Sequence, residues 1–253
     1  MSAAIEIHDL TLGYEGHPAV HHLDGSFAAG SLTAIAGPNG SGKSTLLKGL
    51  MGQLRPLGGH IHMHASEIAY LPQSAEIDRS FPASVSELVA LGLWKRTGPF
   101  GGISRADRER LAEALKTVGL EGFTRRGIDT LSGGQLQRAL FARVLLQDAP
   151  VILLDEPFTA IDSQTVDDLM ALIHRWYAES RTVVAVLHDL ELIRGHFPQT
   201  LLMAREPIGW GPTSEVLTAD NLARARAMPE AWDEHAPWHA NSGGTHSHER
   251  EPA

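Results

Sequence analysis

Residues 32–44 decide the fold, and they read LTAIAGPNGSGKS. The first five are an apolar run of buried-strand length, and the last eight match the pattern G-x-x-x-x-G-K-[ST]. When a strand precedes this pattern and a helix follows it, the glycines let successive backbone N–H groups curl around an anion. The stretch therefore predicts a phosphate-binding loop in which Lys43 reaches the terminal phosphates and the Ser44 hydroxyl binds Mg²⁺.

A second apolar strand ends in two carboxylates. Val151–Leu154 is followed directly by Asp155 and Glu156. Ligands bind beyond the carboxyl ends of parallel strands, which is where these two side chains fall. We expect Asp155 to orient Mg²⁺, partly through water, and Glu156 to face an attacking water as general base.

The segment Leu131-Ser132-Gly133-Gly134-Gln135 predicts a second anion-binding helix start. Ser132 can cap the helix that follows, and the two glycines expose backbone N–H groups there. One nucleotide needs only one such cradle. This second end is therefore expected to close on a nucleotide that another copy of the chain holds.

The rest of the pattern predicts an α/β chain. Short strands are expected over Ile5–Tyr14, and a strand with period-two alternation over His60–His64. Residues 75–150 have helical periodicity, with start signals at Ser84 and Ser104 and an end at Gly119. From Val151 the strand–helix rhythm returns, with a helix over Asp162–Tyr177 and a strand over Thr182–Leu187. The inward positions of that helix are predicted as Val166, Leu169, Met170, Ile173 and Tyr177.

Composition narrows the functional classes. A hydrophobic content of 43% over 253 residues suits a packed globular core, and no apolar run approaches the ~18 residues of a membrane helix. The net charge of −9 argues against a nucleic-acid partner and against docking on anionic lipid by charge. The absence of cysteine fits a reducing compartment, and Met1–Glu6 lacks the pattern of a secretory signal.

Taken together, the motifs over residues 5–225 resemble the ABC-type ATPases. The resemblance implies a P-loop NTPase fold: a mostly parallel sheet core with an N-terminal antiparallel β-subdomain and an inserted α-helical subdomain at about 75–150. It places the nucleotide-binding domain at 1–228. Glu156 and His188 would be catalytic, and Ser44, Gln73 and Asp155 would bind Mg²⁺. The ATP-binding residues would be Tyr14, Gly37, Pro38, Asn39, Gly40, Ser41, Gly42, Lys43, Ser44, Thr45, Gln73, Ser132, Gly133, Gly134, Gln135, Asp155 and Asp162.

The family resemblance also implies the individual roles and the partners. Tyr14 would stack on adenine, Gln73 would sense Mg²⁺ and the γ-phosphate, and His188 would hold Glu156 in line. Asp162, in Ala160-Ile161-Asp162, would lie at the interface of a head-to-tail homodimer enclosing two ATP molecules. An integral membrane permease would recruit the chain to the cytoplasmic face of the cell membrane. Apolar residues of the helical insert, Phe81, Pro82, Val85, Leu88 and Val89, either receive the permease or pack internally.

Two features bear on the cargo. The segment Ile77–Val85 with Gly92-Leu93-Trp94 resembles the metal-cation branch of the family, which imports zinc or manganese with a periplasmic or extracellular metal-binding protein. Histidines and carboxylates also enrich residues 229–253, which are expected to be a mobile tail, either a metal-binding regulator or only a solvated acidic segment. His60, His62 and His64 share one face of a strand, where an exposed strand is expected and a metal site is sterically possible.

Three other functions are alternatives to metal import. A soluble ABC ATPase acting on ribosomes or DNA usually carries two cassettes or a long coiled coil, and neither is visible. A kinase or GTPase with the same phosphate loop would have no use for the Leu131–Gln135 segment, and the guanine-reading N/T-K-x-D pattern is missing. An importer of ferric chelates keeps the ATPase and changes only the cargo.

Overall fold

The structure is a computed structural model that describes residues 2–15, 17–98 and 101–227. The strands are β1 (Ala3–Tyr14), β2 (His17–Ala28), β3 (Leu32–Ala36), β4 (Gly58–Met63), β5 (Ile68–Leu71), β6 (Val151–Asp155), β7 (Thr182–Val186), β8 (Gln199–Ala204) and β9 (Glu206–Pro212). The helices are α1 (Lys43–Leu50), α2 (Val85–Ala90), α3 (Trp94–Thr97), α4 (Arg105–Thr117), α5 (Gly133–Gln147), α6 (Ser163–Ala178), α7 (Leu190–His196), α8 (Thr213–Val216) and α9 (Ala219–Ala227).

The central sheet has the strand order β5-β6-β7-β3-β8-β9. Strands β5, β6, β7, β3 and β8 run parallel, and β9 lies at the edge of the sheet, antiparallel to β8. Parallel strands end at one edge of a sheet, so the segments after β3, β5, β6 and β7 meet there. The phosphate loop, Gln73, Glu156 and His188 all follow these strands, and the topology brings the predicted catalytic residues to one edge.

Side-chain alternation along the buried strands divides the interior into two cores. On β6, Ile152 and Leu154 face the helices α2, α4, α5 and α6, whereas Val151 and Leu153 face α1 and the N-terminal sheet. A strand covered on both faces has no polar side, which explains why β3, β6 and β7 are apolar runs.

The N-terminal residues form a separate antiparallel sheet in the order β2-β1-β4. Its inner face, which includes Ile5, Ile7 and Leu23, packs in the same core as Leu46 and Leu47 of α1. Short strands were expected over Ile5–Tyr14, and that expectation was wrong. One strand of 12 residues runs through, and bulges between Ile7 and Leu12 break its alternation, so that Leu10, Thr11 and Leu12 are all buried.

The helices α2 to α5 lie between β5 and β6 in the chain, as the helical pattern predicted. Ser84 with Glu87 and Ser104 with Asp107 form capping boxes at the starts of α2 and α4. Gly119 takes a left-handed φ of 71° just after α4, which is the conformation that ends a helix. These signals predicted the helix starts and the helix end correctly because each depends on residues at most three or four positions apart.

The predicted inward stripe of α6 needs one correction. Tyr177 is 40% exposed, and the neighbouring Trp176 is buried and stacks on Phe141 of α5. Trp176 lies seven residues after Leu169, almost two full turns, and so continues the buried stripe. Tyr177 is rotated about 100° from Trp176 and turns to solvent.

Among the residues described, no helix has both the length and the apolarity needed to cross a membrane. The predicted tail, 229–253, lies outside these residues.

Candidate functional site

The phosphate loop joins β3 to α1 and depends on glycine at two close approaches. Gly37 has a φ of 150°, and a Cβ there would lie 2.0 Å from the carbonyl oxygen of Met203 on β8. Gly42, at a φ of 89°, leaves 2.4 Å for a Cβ next to the carbonyl oxygen of Ala19. No other residue could fold the loop this tightly against β2 and β8.

Lys43 and Ser41 face the inside of this loop. The Lys43 amino group donates hydrogen bonds to the carbonyl oxygens of Gly37 (3.0 Å) and Pro38 (2.8 Å). Burial lowers the pKa of Lys43 below its ordinary value, and the negative charges of Glu156 and Asp155 partly oppose this shift. The buried Ser41 hydroxyl has no hydrogen-bond partner in the described residues. A cationic amine and an unpartnered hydroxyl within a ring of glycines fit an anionic phosphate.

Asp155 lies at the end of β6, where the Ser44 hydroxyl donates a hydrogen bond to its Oδ1 at 3.2 Å. It is 1% exposed, and burial raises its pKa to about 6, an effect that the Ser44 bond opposes. A buried carboxylate that is held by hydroxyl groups and has no cationic ion-pair partner among the described residues is poorly stabilised when charged. Hard divalent cations bind such oxygen donors. The pair of Ser44 and Asp155 therefore fits a magnesium site.

Glu156 is turned into the site by a left-handed backbone conformation. Its φ is 48°, which is uncommon for a residue other than glycine and costs about 1–2 kcal/mol. Three side chains hold the carboxylate: Nε2 of Gln73 (2.9 Å), the Thr159 hydroxyl (3.1 Å) and Nε2 of His188 (2.6 Å). The turn explains how two consecutive residues, Asp155 and Glu156, serve the same site.

The charge state of Glu156 follows from these contacts. Burial by itself would raise the pKa of Glu156, but the hydrogen bond from His188 and the charge of Lys43 outweigh it, so that the pKa lies below the ordinary 4.5. Glu156 is therefore a carboxylate at neutral pH, the form that can accept a proton.

The phosphate loop and Glu156 border a cleft of about 310 Å³. Its lining residues are Ala19, Asn39, Gly40, Ser41, Gly42, Lys43, Ser44, Thr45 and Glu156. Residues 132–135, the second predicted anion site, do not contribute to this lining. The structure thus brings together the loop, Gln73, Asp155, Glu156 and His188, and leaves Ser132–Gln135 out of the cleft of the same chain.

The Ser132 end is a formed helix start. Ser132 accepts a hydrogen bond from the backbone of Gln135 (3.2 Å), and the Gln135 side chain accepts one from the backbone of Ser132 (3.1 Å). A Cβ at Gly134 would lie 3.5 Å from Oδ2 of Asp162, which caps α6 through Thr165. The start of α5 and the segment around Asp162 therefore lie side by side. Tyr14, at the end of β1, is 49% exposed.

An apolar groove lies on the helical insert, away from these residues in sequence. It has a volume of about 330 Å³ and is lined by Glu76, Ile77, Asp78, Phe81, Ala83, Glu87, Leu88, Leu91 and Ile128. Phe81 is 64% exposed at its edge. Of the two alternatives left open for the apolar residues of the insert, Val85 and Val89 take internal packing, since both are fully buried.

Two residues of the site escaped sequence reasoning. Thr159 donates to Glu156, and nothing but its position three residues later pointed to it. The hydroxyl of Tyr70 on β5 is buried beside Asp155, and burial, followed by the charge of Asp155, raises the pKa of Tyr70. The register of β5 against β6, which puts Tyr70 beside Leu153, was not readable from the sequence.

The pKa of Asp155 gives a test that needs no nucleotide. With a folded pKa of about 6 against the ordinary 3.8, the folded chain binds more protons than the unfolded chain between about pH 4 and pH 6. The contribution of Asp155 to stability without divalent cations should therefore fall as pH rises through this window, by ~3 kcal/mol. Asp155→Asn should remove the loss and be the more stable protein at pH 8, as measured by urea unfolding in EDTA.

Glu113→Gln is the matched control, since Glu113 is exposed on α4. It should follow the parent protein at every pH. An Asp155→Asn variant with the pH dependence of the parent would show that Asp155 is not a buried charge.

Comparison with known proteins identifies the family. The profile described as "ABC transporter" matches residues 20–159. The chain belongs to the ABC transporter family. It is 39% identical over 85% of its length to a probable metal transport system ATP-binding protein of Chlamydia pneumoniae, 86% of which is covered. It is 35% identical to the manganese transport system ATP-binding protein MntB of Listeria monocytogenes (86% of the chain, 94% of MntB) and 34% to the zinc transport system ATP-binding protein TroB of Treponema pallidum (88% and 86%).

Solved structures agree with the fold. A chain of an ABC transporter in an inward-facing conformation superposes with a TM-score of 0.81 at 30% identity, covering 90% of both chains. A dimeric bacterial ABC transporter cassette gives 0.73 at 26% identity over 83% of this chain and 98% of that one. The predicted fold class is thereby confirmed, and the chain is an ATP-binding, ATP-hydrolysing subunit of the ABC type.

Proposed function

We propose that this ABC ATPase powers import of a divalent metal cation, zinc or manganese, through a membrane permease. The observation that carries the hydrolytic step is the fixation of Glu156 by Gln73, Thr159 and His188 beside the phosphate loop. A carboxylate held by three donors in a strained conformation is oriented before the substrate arrives, and such orientation is what phosphoryl transfer requires.

Each predicted residue then has a physical role. Lys43 would donate to the β- and γ-phosphates in place of the carbonyls of Gly37 and Pro38. Glu156 would accept a proton from, or orient, the attacking water, and His188 would hold Glu156 in line with it. Ser44, Gln73 and Asp155 would hold Mg²⁺, which when bound offsets the negative charge of the phosphates.

The second anion end requires a second copy of the chain. Ser132, Gly133 and Gly134 would close on ATP held by the loop of the other subunit, with Tyr14 against adenine and Asp162 at the interface. The support is geometric: the start of α5 is a capped, glycine-rich helix start, yet it does not line the cleft of its own chain. ATP would join the two subunits, and hydrolysis would release them because the γ-phosphate contact is lost.

The groove on the helical insert would receive a helix of the permease. Its buried apolar lining comes from Leu88 and Ile128, and Leu91 and Phe81 are exposed. Glu76, Asp78 and Glu87 make the rim acidic. These features favour a short amphipathic helix with a basic residue at its edge. Docking there would hold the chain at the cytoplasmic face of the cell membrane.

The cargo proposal rests on the relatives named as manganese and zinc transport subunits, which cover most of this chain. A periplasmic or extracellular metal-binding protein would deliver the ion to the permease. Import of a ferric chelate, or a role outside membranes, remains an outcome of the experiment that follows.

The test uses a candidate metal permease from the same organism, copurified with the chain and reconstituted in lipid vesicles with its binding protein. Zinc or manganese loading of the binding protein should stimulate ATP hydrolysis, and a ferric chelate should not. Phe81→Asp should weaken copurification and remove the stimulation, because it puts a charge into an apolar and acidic groove. Tyr177→Asp, also at an exposed aromatic residue but on α6, is the control and should behave as the parent.

Stimulation by a ferric chelate alone would replace the metal-cation proposal by the chelate one. Failure of every permease preparation to retain the chain would refute the transport proposal.

A further inference from the structure

The outer face of the N-terminal sheet carries five ionisable side chains that the ATP site does not use. Glu6 and His8 project from β1 and stand directly opposite His62 and His60 of β4. His64 follows β4 immediately, and its backbone N–H still bonds to the carbonyl of Ala4. This group, Glu6, His8, His60, His62 and His64, is the sheet histidine cluster. Its members come from two strands that are more than 50 residues apart in sequence.

The carboxylate of Glu6 lies at the centre of the cluster. Its Oε1 is 3.2 Å from Nε2 of His64, and its Oε2 is 3.7 Å from Nε2 of His8. The ring centroids of His62 and His64 are 4.3 Å apart. On the other side of Glu6, the rings of His8 and His60 stack at 4.8 Å. The hydrogen bond from His64 lowers the pKa of Glu6, which keeps the carboxylate charged at neutral pH.

One of these separations, that between Glu6 and His64, equals the spacing of two ligands on a zinc ion. Zinc binds imidazole nitrogen at about 2.0–2.1 Å and carboxylate oxygen at about 2.0–2.2 Å in tetrahedral geometry, so an N and an O on one ion lie ~3.3 Å apart. Glu6 and His64 already stand at 3.2 Å. Within the described parts of the chain, no three donors yet surround a single point. His62 is exposed and can supply the third donor by rotating its ring toward Glu6.

We propose that Glu6, His62 and His64 bind one Zn²⁺, which ties β1 to β4 on the outer face of the sheet. The ligand set decides the class of ion. Two imidazoles and a carboxylate suit zinc and its neighbours at the tight end of the first-row divalent series, whereas Mn²⁺ binds such a set most weakly. The site is separate from the ATP cleft, and it stands or falls independently of the transport proposal.

The test is calorimetric titration of ZnCl₂ into the full chain without nucleotide, produced without a polyhistidine tag. His235, His239, His246 and His248, which lie outside the described residues, are first replaced by alanine to remove competing donors. This background protein should take up one equivalent of Zn²⁺. Adding His62→Ala with His64→Ala should abolish the uptake. Adding Glu6→Gln alone should weaken it at least ~10-fold, since losing even an outer partner of a metal ligand costs 10–100-fold.

His22→Ala is the matched control. His22 is exposed on the same sheet and bonds to Asp9 at 2.6 Å, and it is not one of the three proposed ligands. Its removal should leave Zn²⁺ uptake unchanged. MnCl₂ should give at least ~10-fold weaker binding to the background protein than ZnCl₂.

Thermal unfolding supplies a second readout, because an ion that joins two strands stabilises only the folded state. Zn²⁺ should raise the melting temperature of the background protein and of His22→Ala, and not that of the double histidine variant. Circular dichroism should show that all variants are folded. No uptake by the background protein, or uptake that survives His62→Ala with His64→Ala, would overturn the site without affecting the ATPase.

Discussion

Replacing Glu156 with glutamine should lower the rate of ATP turnover roughly 100- to 10,000-fold, the range typical of a lost general base. Glutamine has nearly the same shape and keeps one oxygen for Gln73 or Thr159, so the turn at Glu156 and the nucleotide cleft should remain. What is lost is the negative charge that can accept a proton from water. ATP binding should therefore persist, and the ATP-bound dimer should accumulate because the bound ATP is not hydrolysed.

Steady-state phosphate release and size-exclusion chromatography with ATP and Mg²⁺ measure the two effects. Glu191→Gln is the control, since Glu191 is an exposed carboxylate early in α7 and bonds only to Arg194 among the described residues. It should turn over ATP at the parent rate and not trap a dimer. A Glu156→Gln protein with full turnover would remove Glu156 from its role in the chemistry.

Mixing two inactive variants should restore activity, and this is the second large effect. Lys43→Ala removes the amine of the phosphate loop, and Ser132→Arg blocks the start of α5 with a long side chain. Each alone should cost at least ~100-fold in turnover, since each disables an anion-binding element of both composite sites. A mixed dimer, however, contains one intact site: Lys43 from the Ser132→Arg chain and Ser132 from the Lys43→Ala chain.

The expected result is recovery that grows with the fraction of mixed dimers, up to about half the parent rate if the two sites turn over independently. Mixing Lys43→Ala with Glu156→Gln is the control. Lys43 and Glu156 line the same cleft of one chain. Each of the two sites in this mixed dimer therefore carries one defect, and no recovery of ATP turnover should follow. Absence of recovery in the first mixture, or equal recovery in both, would contradict a nucleotide shared across the subunit boundary.

Much of the site could be predicted because its signals are local. The loop pattern at 37–44, the strand that ends in Asp155 and Glu156, and the capped helix start at Ser132 each lie within about ten residues. Their backbone geometry follows from glycine freedom, strand burial and helix capping. The structure has a strand or a helix start where each pattern predicts one, with Ser84 and Ser132 as helix caps.

The predictions that failed concern contacts between residues that are distant in sequence. Tyr177 and Trp176 both carry large rings, and only the packing of Trp176 on Phe141 decides which is buried. The bulges of β1 arise from pairing with β2 and hide the alternation of its residues. Packing also decided what the sequence left open: Val85 and Val89 are apolar like Phe81, but they are buried whereas Phe81 is exposed.

The sequence by itself determined an ABC-type phosphate loop, a pair of strand-end carboxylates and a second helix start that is capped and rich in glycine. Each is encoded by residue types that permit one local backbone shape. Only the tertiary structure decided which side chains meet, namely the three donors around Glu156 and the register that puts Glu6 between the histidines of β1 and β4. Contacts of this kind depend on strand order and register, and these follow from burial over the whole chain rather than from any single segment.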